Sequence, residues 1–218
     1  MTKKTTPPNT TKPATGQAHP SHLQWLERFV PYVLIGSGLL GGISSFMLAI
    51  EEIQHLRHPA ARLGCDLNPI IGCGANMTTW QGHVFFGIPN EFLGLIVFTV
   101  MVTMGAAILA GAKFRRWFWV ALQVGLILGL IFVHWFMAES IFVLNHLCPY
   151  CMVTWVATIT GFWYLTLYSI RAEHIRLHGK LARVNQFAQR HHADILAVWL
   201  LAILAIILHH FWYYFGTL

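Results

Sequence analysis

Five stretches of about twenty consecutive apolar residues set the first limit on this chain, because at about 1.5 Å of rise per residue each is long enough to cross a bilayer as a helix. They run from Phe29 to about Ile50, about Phe92 to Ala112, about Trp117 to Leu144, about Pro149 to Ile170 and about Ile195 to Phe215. The 218 residues are 56% hydrophobic and only 10% charged. Soluble domains are about a quarter charged, so a water-soluble enzyme, a disordered chain and a nucleic-acid reader are poor fits. The expected fold class is all-α integral membrane: a four-helix transmembrane bundle with a long outer capping loop, plus a fifth transmembrane helix.

Residues 1–28 read as a cytoplasmic tail, whose Thr-, Pro- and Lys-rich first 21 residues contain no apolar run and are expected to be disordered. A cleavable signal would put an apolar region directly behind the N-terminal charges. Here the first such run waits until Phe29 and is expected to stay as a signal anchor. Five spans put the termini on opposite sides, and cytoplasmic loops collect Lys and Arg. Lys3, Lys4, Lys12 and Arg28 precede the first span, Lys113, Arg115 and Arg116 join the second to the third, and Arg171, Arg176, Lys180, Arg183 and Arg190 join the fourth to the fifth. Twelve of the fourteen basic residues therefore share one face, and only Arg57 and Arg62 fall on the other. The net charge of +6 is a topology signal, and no nucleic-acid partner is expected. The organisation expected is a four-helix domain over 29–172 with its outer loop at 51–90, a basic cytoplasmic connection at 173–192 and a fifth transmembrane helix at 193–218.

This orientation puts all four cysteines on the extracytoplasmic, oxidising side. Cys65 and Cys73 lie in the first loop, and Cys148-Pro149-Tyr150-Cys151 opens the fourth span. The loop is far longer than an ordinary connection, which marks it as functional or a lid. Within it Met77, Trp80 and Val84 recur at helical spacing opposite Thr78, Gln81 and Gly82, the pattern of a short helix lying flat on the membrane. A CxxC pair serves zinc, redox chemistry or, with a following His, haem. Met152 follows here, and the seven residues between Cys65 and Cys73 suit a second zinc pair poorly, so no metal is expected.

A helix start gives the CxxC pair its reactivity. Pro149 suits the first helical position, which leaves Cys148 at the cap, where unpaired N–H groups and the positive end of the helix dipole favour a thiolate. Cys148 then reads as an accessible nucleophile and Cys151, one turn deeper, as its buried partner. Cys65 and Cys73 either pair with each other or exchange with another disulfide; a static staple is the bland alternative. Two disulfide-capable pairs on one face can pass electrons by thiol–disulfide exchange. With no flavin, haem or iron–sulfur motif, the final acceptor has to be lipid-soluble, and a quinone in the bundle fits.

Cys65, seven residues, Cys73, then Thr79 six positions on, the Pro89-Asn90 opening of the second span and CPYC opening the fourth together resemble the vitamin K epoxide reductase family, over about Val33 to Leu167. The bacterial, disulfide-forming members are the nearer likeness. The resemblance implies four helices around a quinone, menaquinone or ubiquinone, as diffusible acceptor, and a DsbA-like thioredoxin-fold partner that the enzyme reoxidises at a bacterial inner (plasma) membrane. It implies that Cys65 exchanges with the partner, that Cys73 shuttles to Cys148, and that Cys151 delivers electrons to the quinone. Thr79 would order the site or polarise a quinone oxygen. Asn90 would cap the second span or touch the quinone. Members often carry the thioredoxin-like domain fused behind a fifth span, whereas this chain stops at Leu218. Animal members have Tyr four residues after the last cysteine; Trp155 stands there here, where it could stack on a quinone but offers only an N–H donor. Vitamin K epoxide reduction is the first rival reading, and a non-enzymatic membrane assembly factor with structural disulfides is the second.

Among the remaining polar residues, Glu51 and Glu52 read as meeting interfacial water. Glu139 and His134 lie in the outer half of the third span; Glu139 reads as snorkelling, with proton handling as its functional alternative. His174 and His178 read as a solvated face, and His191, His192, His209 and His210 as interfacial. Gly36, Gly38, Gly41 and Gly42 suit close helix packing.

Overall fold

A computed structural model describes residues 21–59, 63–171 and 187–215. The first twenty residues, Arg62, His174, His178 and most of the basic connection lie outside the described residues. Helix α1 spans Ser21–Arg57, α2 Gly74–Met77, α3 Asn90–Leu109, α4 Arg116–Ala138, α5 Pro149–Arg171 and α6 His192–His210. Five of these are long and apolar enough to cross a membrane, so the chain is a multi-pass, all-helical membrane protein. The first begins at Ser21, eight residues before the apolar run, so the end of the sequence-assigned tail is helical. Its 37 residues reach about 55 Å, well beyond a hydrocarbon core of about 30 Å.

Small residues let α1 lie close to α3 and α5. A Cβ at Gly38 would stand 2.7 Å from the Val102 side chain, one at Gly41 would collide with the Phe98 ring, and one at Gly105 would reach the Pro31 carbonyl at 2.7 Å. In a bilayer such close approach replaces the hydrophobic drive that water supplies elsewhere. Gly36 and Gly42 have ordinary or open space around them, so two of the four glycines singled out from sequence carry the contact. The α3–α4 turn closes at Gly111, whose φ of 79° completes a Schellman stop with Gly111 N–H on Ile108 O and Ala112 N–H on Ala107 O.

At the opposite end α4 runs into a π-helical turn, Glu139–Val143, whose widened ladder has Leu144 N–H on Glu139 O at 2.9 Å. The chain then turns through Asn145, at φ 51°, and pairs with the loop: Gly72 N–H donates to Leu147 O at 2.9 Å and Leu147 N–H to Ile70 O at 2.8 Å. This isolated parallel bridge between Ile71 and Leu147 fixes the register of the two segments that carry Cys73 and Cys148. Helix α6 flanks the bundle, burying Ile207 and packing Leu196, Trp199, Leu200 and Ile203 against the core while its other face is exposed. Trp199 Nε1 donates to His134 Nε2 at 3.2 Å, and His210 Nε2 meets Asn145 Oδ1 at 2.8 Å. His134 therefore faces the fifth helix, with Nδ1 directed at Leu130 O, 2.9 Å away.

Candidate redox site

Cys65 and Cys73 form a disulfide with Cα atoms 5.8 Å apart. Asp66, the next residue after Cys65, holds the other end of the bridge, since its Oδ1 accepts from Cys73 N–H at 2.9 Å and Gly74 N–H at 3.4 Å. Asn68 Oδ1 accepts from Ile70 and Ile71 N–H at 3.0 and 2.7 Å, an Asx turn that aims the chain into the bridge with Leu147. Cys148 caps α5 one residue before Pro149, and its Sγ lies 3.6 Å from Cys73 Sγ. Cys148 and Cys151 are free thiols, and Cys151 N–H points at Cys148 Sγ, 3.3 Å away. Cys65, Cys73 and Cys148 thus bring three sulfurs together in succession, with the fourth one helical turn deeper. Cys148 is fully buried, which corrects the expectation of an accessible nucleophile: what reaches its sulfur in this arrangement is Cys73.

Cys151 opens onto a cavity of about 300 Å³ enclosed by α1, α3, α4, α5 and the capping loop. Its walls are Leu48, Val97, Phe98, Phe132, Phe136 and other apolar groups, while a polar end gathers Glu52, Asn76, His83, Asn90 and Glu91 near the sulfur. This volume sits at the lower end of small-molecule sites, and a mostly apolar wall with few convergent polar groups is their usual chemistry. A planar, largely apolar ring with two oxygens fits that lining. Asn76 Nδ2 approaches Cys151 Sγ at 3.9 Å, and its Oδ1 is buried without a partner. Among the described residues no cluster of three His, Cys, Asp or Glu side chains could hold a metal.

The capping segment differs from the single flat helix expected. It is α2 followed by a separate 3-10 turn, Trp80–His83, and each of the two faces read from periodicity is split, since Met77 is buried on the cavity and Thr78 is exposed. Gln81 and Gly82 are buried, whereas Trp80 and Val84 are exposed and Phe86 completely so. Gly82 packs so tightly that a Cβ would collide with the Asn76 carbonyl oxygen. Phe86 stands at φ 56° in the turn between Phe85 and Ile88. Trp80 and Phe85 lie against Trp135 and Phe132, with ring centroids 5.9 and 5.4 Å apart. Trp80, Val84 and Phe86 therefore lie on the exposed side of the cap, while Asn76, Met77, Gly82, His83 and Phe85 line the cavity.

The remaining residues singled out from sequence divide. Trp155 is buried and lines the cavity. Asn90 lines it too, but as the first residue of α3, behind the cap position held by Pro89. Instead of capping α3 it clasps the loop, with Nδ2 donating to Gln81 O at 2.6 Å and Oδ1 accepting from Val84 N–H at 3.3 Å. The Thr79 hydroxyl turns back to Asn76 O at 3.4 Å, and Thr79 is outside the cavity lining. Glu139 accepts from Gln81 Nε2 at 3.3 Å and so ties α4 to the cap. Glu51 Oε2 accepts from Gly64 N–H at 3.1 Å. Glu52 is buried in the cavity wall, not at interfacial water as expected.

Sequence reasoning missed Asp66, Asn76, His83 and the cavity role of Glu52. One signal was available: Ser45, Leu48 and Glu52 recur at i, i+3 and i+7, one face of a helix, and all three line the cavity. Asp66 and His83 sit in irregular backbone, where no periodicity marks a direction.

With this geometry in place, a comparison of the chain with known families gives a match to the vitamin K epoxide reductase family over residues 32–166, more than half of its length. A search of curated proteins finds no match.

Proposed function

The chain belongs to the vitamin K epoxide reductase family, a family of membrane thiol oxidoreductases linked to quinones, and from that premise we propose that it reoxidises a thioredoxin-fold partner, of the DsbA-like kind, outside the cytoplasm and passes the electrons to menaquinone or ubiquinone. The observation that carries this reading is the 3.6 Å approach of Cys73 Sγ to Cys148 Sγ, together with the exposure of Cys151 to the cavity. The oxidised loop pair and the reduced CPYC pair match the stage at which electrons have moved inward and have yet to leave.

In the forward cycle the loop, whose Cys65 is itself buried, has to expose that sulfur before a partner thiolate attacks it, breaks its bond to Cys73 and forms a mixed disulfide that the partner's second thiolate resolves. The Cys73 thiolate then attacks Cys148 of a Cys148–Cys151 disulfide and frees Cys151; Cys65 resolves the Cys73–Cys148 bond and restores the observed pairing. A bound quinone supplies the two-electron sink. The cavity that would hold it is lined by Cys151, with Trp155 and Phe136 in its apolar wall. The positive-inside rule supports placing the cysteine end outside: Arg28, Lys113, Arg115, Arg116 and Arg190 lie at the other end of the bundle.

The test is the purified protein with a reduced thioredoxin-fold protein and a short-chain menaquinone or ubiquinone. Quinol should form in one-to-one ratio with the partner's new disulfide. Silence with both quinones would remove the reading.

A further inference from the structure

Two carboxylates and an imidazole gather at the polar end of the cavity, and the sulfur relay uses none of them. Glu52 comes from α1, His83 from the capping turn and Glu91 from the first turn of α3, and all three line the same space as Cys151. His83 Nε2 lies 3.4 Å from Glu52 Oε1, and His83 Nδ1 lies 3.3 Å from the Thr79 carbonyl oxygen. Glu52 is 4% exposed, yet its Oε2 has no hydrogen-bond partner, and neither has Oε1 of Glu91. Helix α4 lines the cavity with glycines and apolar side chains only, and α5 adds Cys151, Trp155 and two threonines. Glu139 is held by Gln81, outside the lining.

The proposed reaction creates a need at this place. Exchange advances through thiolates, so the partner's two protons leave on the aqueous side while two electrons travel inward. Two protons must follow into the covered space, whether they pass first to the sulfurs of Cys148 and Cys151 as these are reduced or directly to the two quinone oxygens. We propose that His83, Glu52 and Glu91 are the proton route between the outer aqueous face and the cavity, an inference that rests on the quinone-linked reading above and assigns its acid–base groups.

His83 is the outer member: 27% of its side chain is exposed against 5% for Glu52. The protonated imidazole donates from Nδ1 to the Thr79 carbonyl and from Nε2 to Glu52. Passing the Nε2 proton to Glu52 Oε1 leaves the neutral Nδ1–H tautomer, whose remaining donor Thr79 still satisfies. The Thr79 backbone therefore selects Nε2 as the exchanging nitrogen. Glu52 holds the proton as a neutral acid beside the cavity and returns to carboxylate when it gives it up; Glu91 offers a second acceptor there. Each cycle moves one proton and no electrons, and two cycles balance the two-electron oxidation of Cys148 and Cys151.

The experiment compares Glu52→Gln, Glu52→Asp and His83→Gln with wild-type protein, using a reduced thioredoxin-fold protein and a short-chain quinone. For Glu52→Gln and His83→Gln, kcat for quinol should fall on the order of 100-fold, the usual worth of a positioned acid, with KM for the quinone within about twofold. Glu52→Asp should recover part of the loss, and the solvent deuterium isotope effect should grow as proton delivery becomes limiting. In a Cys151→Ser background the same variants should still form the Cys73–Cys148 disulfide at the unsubstituted rate, which shows that cap and sulfurs are intact. Unchanged kcat in Glu52→Gln, or equal losses in quinol formation and Cys73–Cys148 exchange, would overturn the proton route while leaving the quinone reaction standing. A wild-type protein that makes no quinol would remove both.

Discussion

The two cysteine pairs meet at 3.6 Å yet are held by different kinds of structure. Cys148 and Cys151 sit on the first turn of α5, a 23-residue helix packed into the bundle. Cys65 and Cys73 sit on irregular backbone kept in place by separate hydrogen bonds, from Asp66, Asn68 and the two-residue bridge to Leu147. The helical pair is set by a helix beside the cavity, whereas the loop pair, buried in the same core with Leu63 and Ile70, takes its position from irregular backbone and from those hydrogen bonds. A relay between a soluble partner and a buried acceptor needs both: one pair must move to meet a protein, and the other must keep its distance to the acceptor.

The largest effect expected from breaking this pairing is at the helical pair. Cys151→Ser removes the sulfur that opens on the cavity and leaves Cys148 able to attack the loop disulfide. Quinol formation should stop, and Cys73–Cys148 should accumulate as a bond that non-reducing mass spectrometry detects. Accumulation of Cys65–Cys73 alone would show that the 3.6 Å approach has no chemical consequence.

On the movable side, Asp66→Ala deletes both acceptor contacts to the α2 turn. Hydrogen bonds to a charged group are worth about 1.5–3 kcal/mol each, so the loop should lose its set position for Cys73. In the Cys151→Ser background the Cys73–Cys148 bond should form about tenfold or more slowly, measured by quenched alkylation, with quinone affinity unaltered. A smaller effect follows from Asn90→Ala, which unclasps the cap from α3 but touches neither pair. Two neutral bonds of about 1 kcal/mol each are at stake. The quinone KM should rise several-fold while exchange between the pairs keeps its rate.

The spans could be read from sequence because their signal is local: twenty apolar residues announce a helix whatever their neighbours do. CPYC at a helix start was equally local, since Pro149 marks its own position. The cap was not. Its conformation comes from partners far along the chain, Leu147 for Ile71, Glu139 for Gln81 and Asn90 for Val84. Periodicity therefore suggested one helix lying flat on the membrane with Met77, Trp80 and Val84 on one face, where the fold has two short turns that bury Met77 together with Gln81 and Gly82 and turn Trp80 and Val84 outward. Glu52 shows the same limit, because the end of an apolar run looks like an interface until His83 from another segment closes over it. Asn90 was singled out correctly as a position and given a different job, because a cap and a clasp use the same side chain and differ only in what lies opposite.

The smallest effect should come from the fifth helix, and its smallness sharpens the contrast between what builds the site and what only flanks it. No residue of α6 lines the cavity; along its middle it meets the bundle through Trp199 Nε1 on His134 Nε2, and at its ends through Trp163 Nε1 on His192 O and His210 Nε2 with Asn145 Oδ1. Hydrogen bonds between membrane helices average about 0.6 kcal/mol because the separated helices find other partners in lipid. Trp199→Phe keeps an aromatic ring beside the imidazole, 5.5 Å away by centroid, and removes only the donor. Its thermal midpoint in detergent should drop slightly and kcat for quinol should stay within about twofold of wild type. A tenfold fall in kcat would mean that α6 sets the position of α4 at the cavity wall, and the redox unit would then be a five-helix assembly.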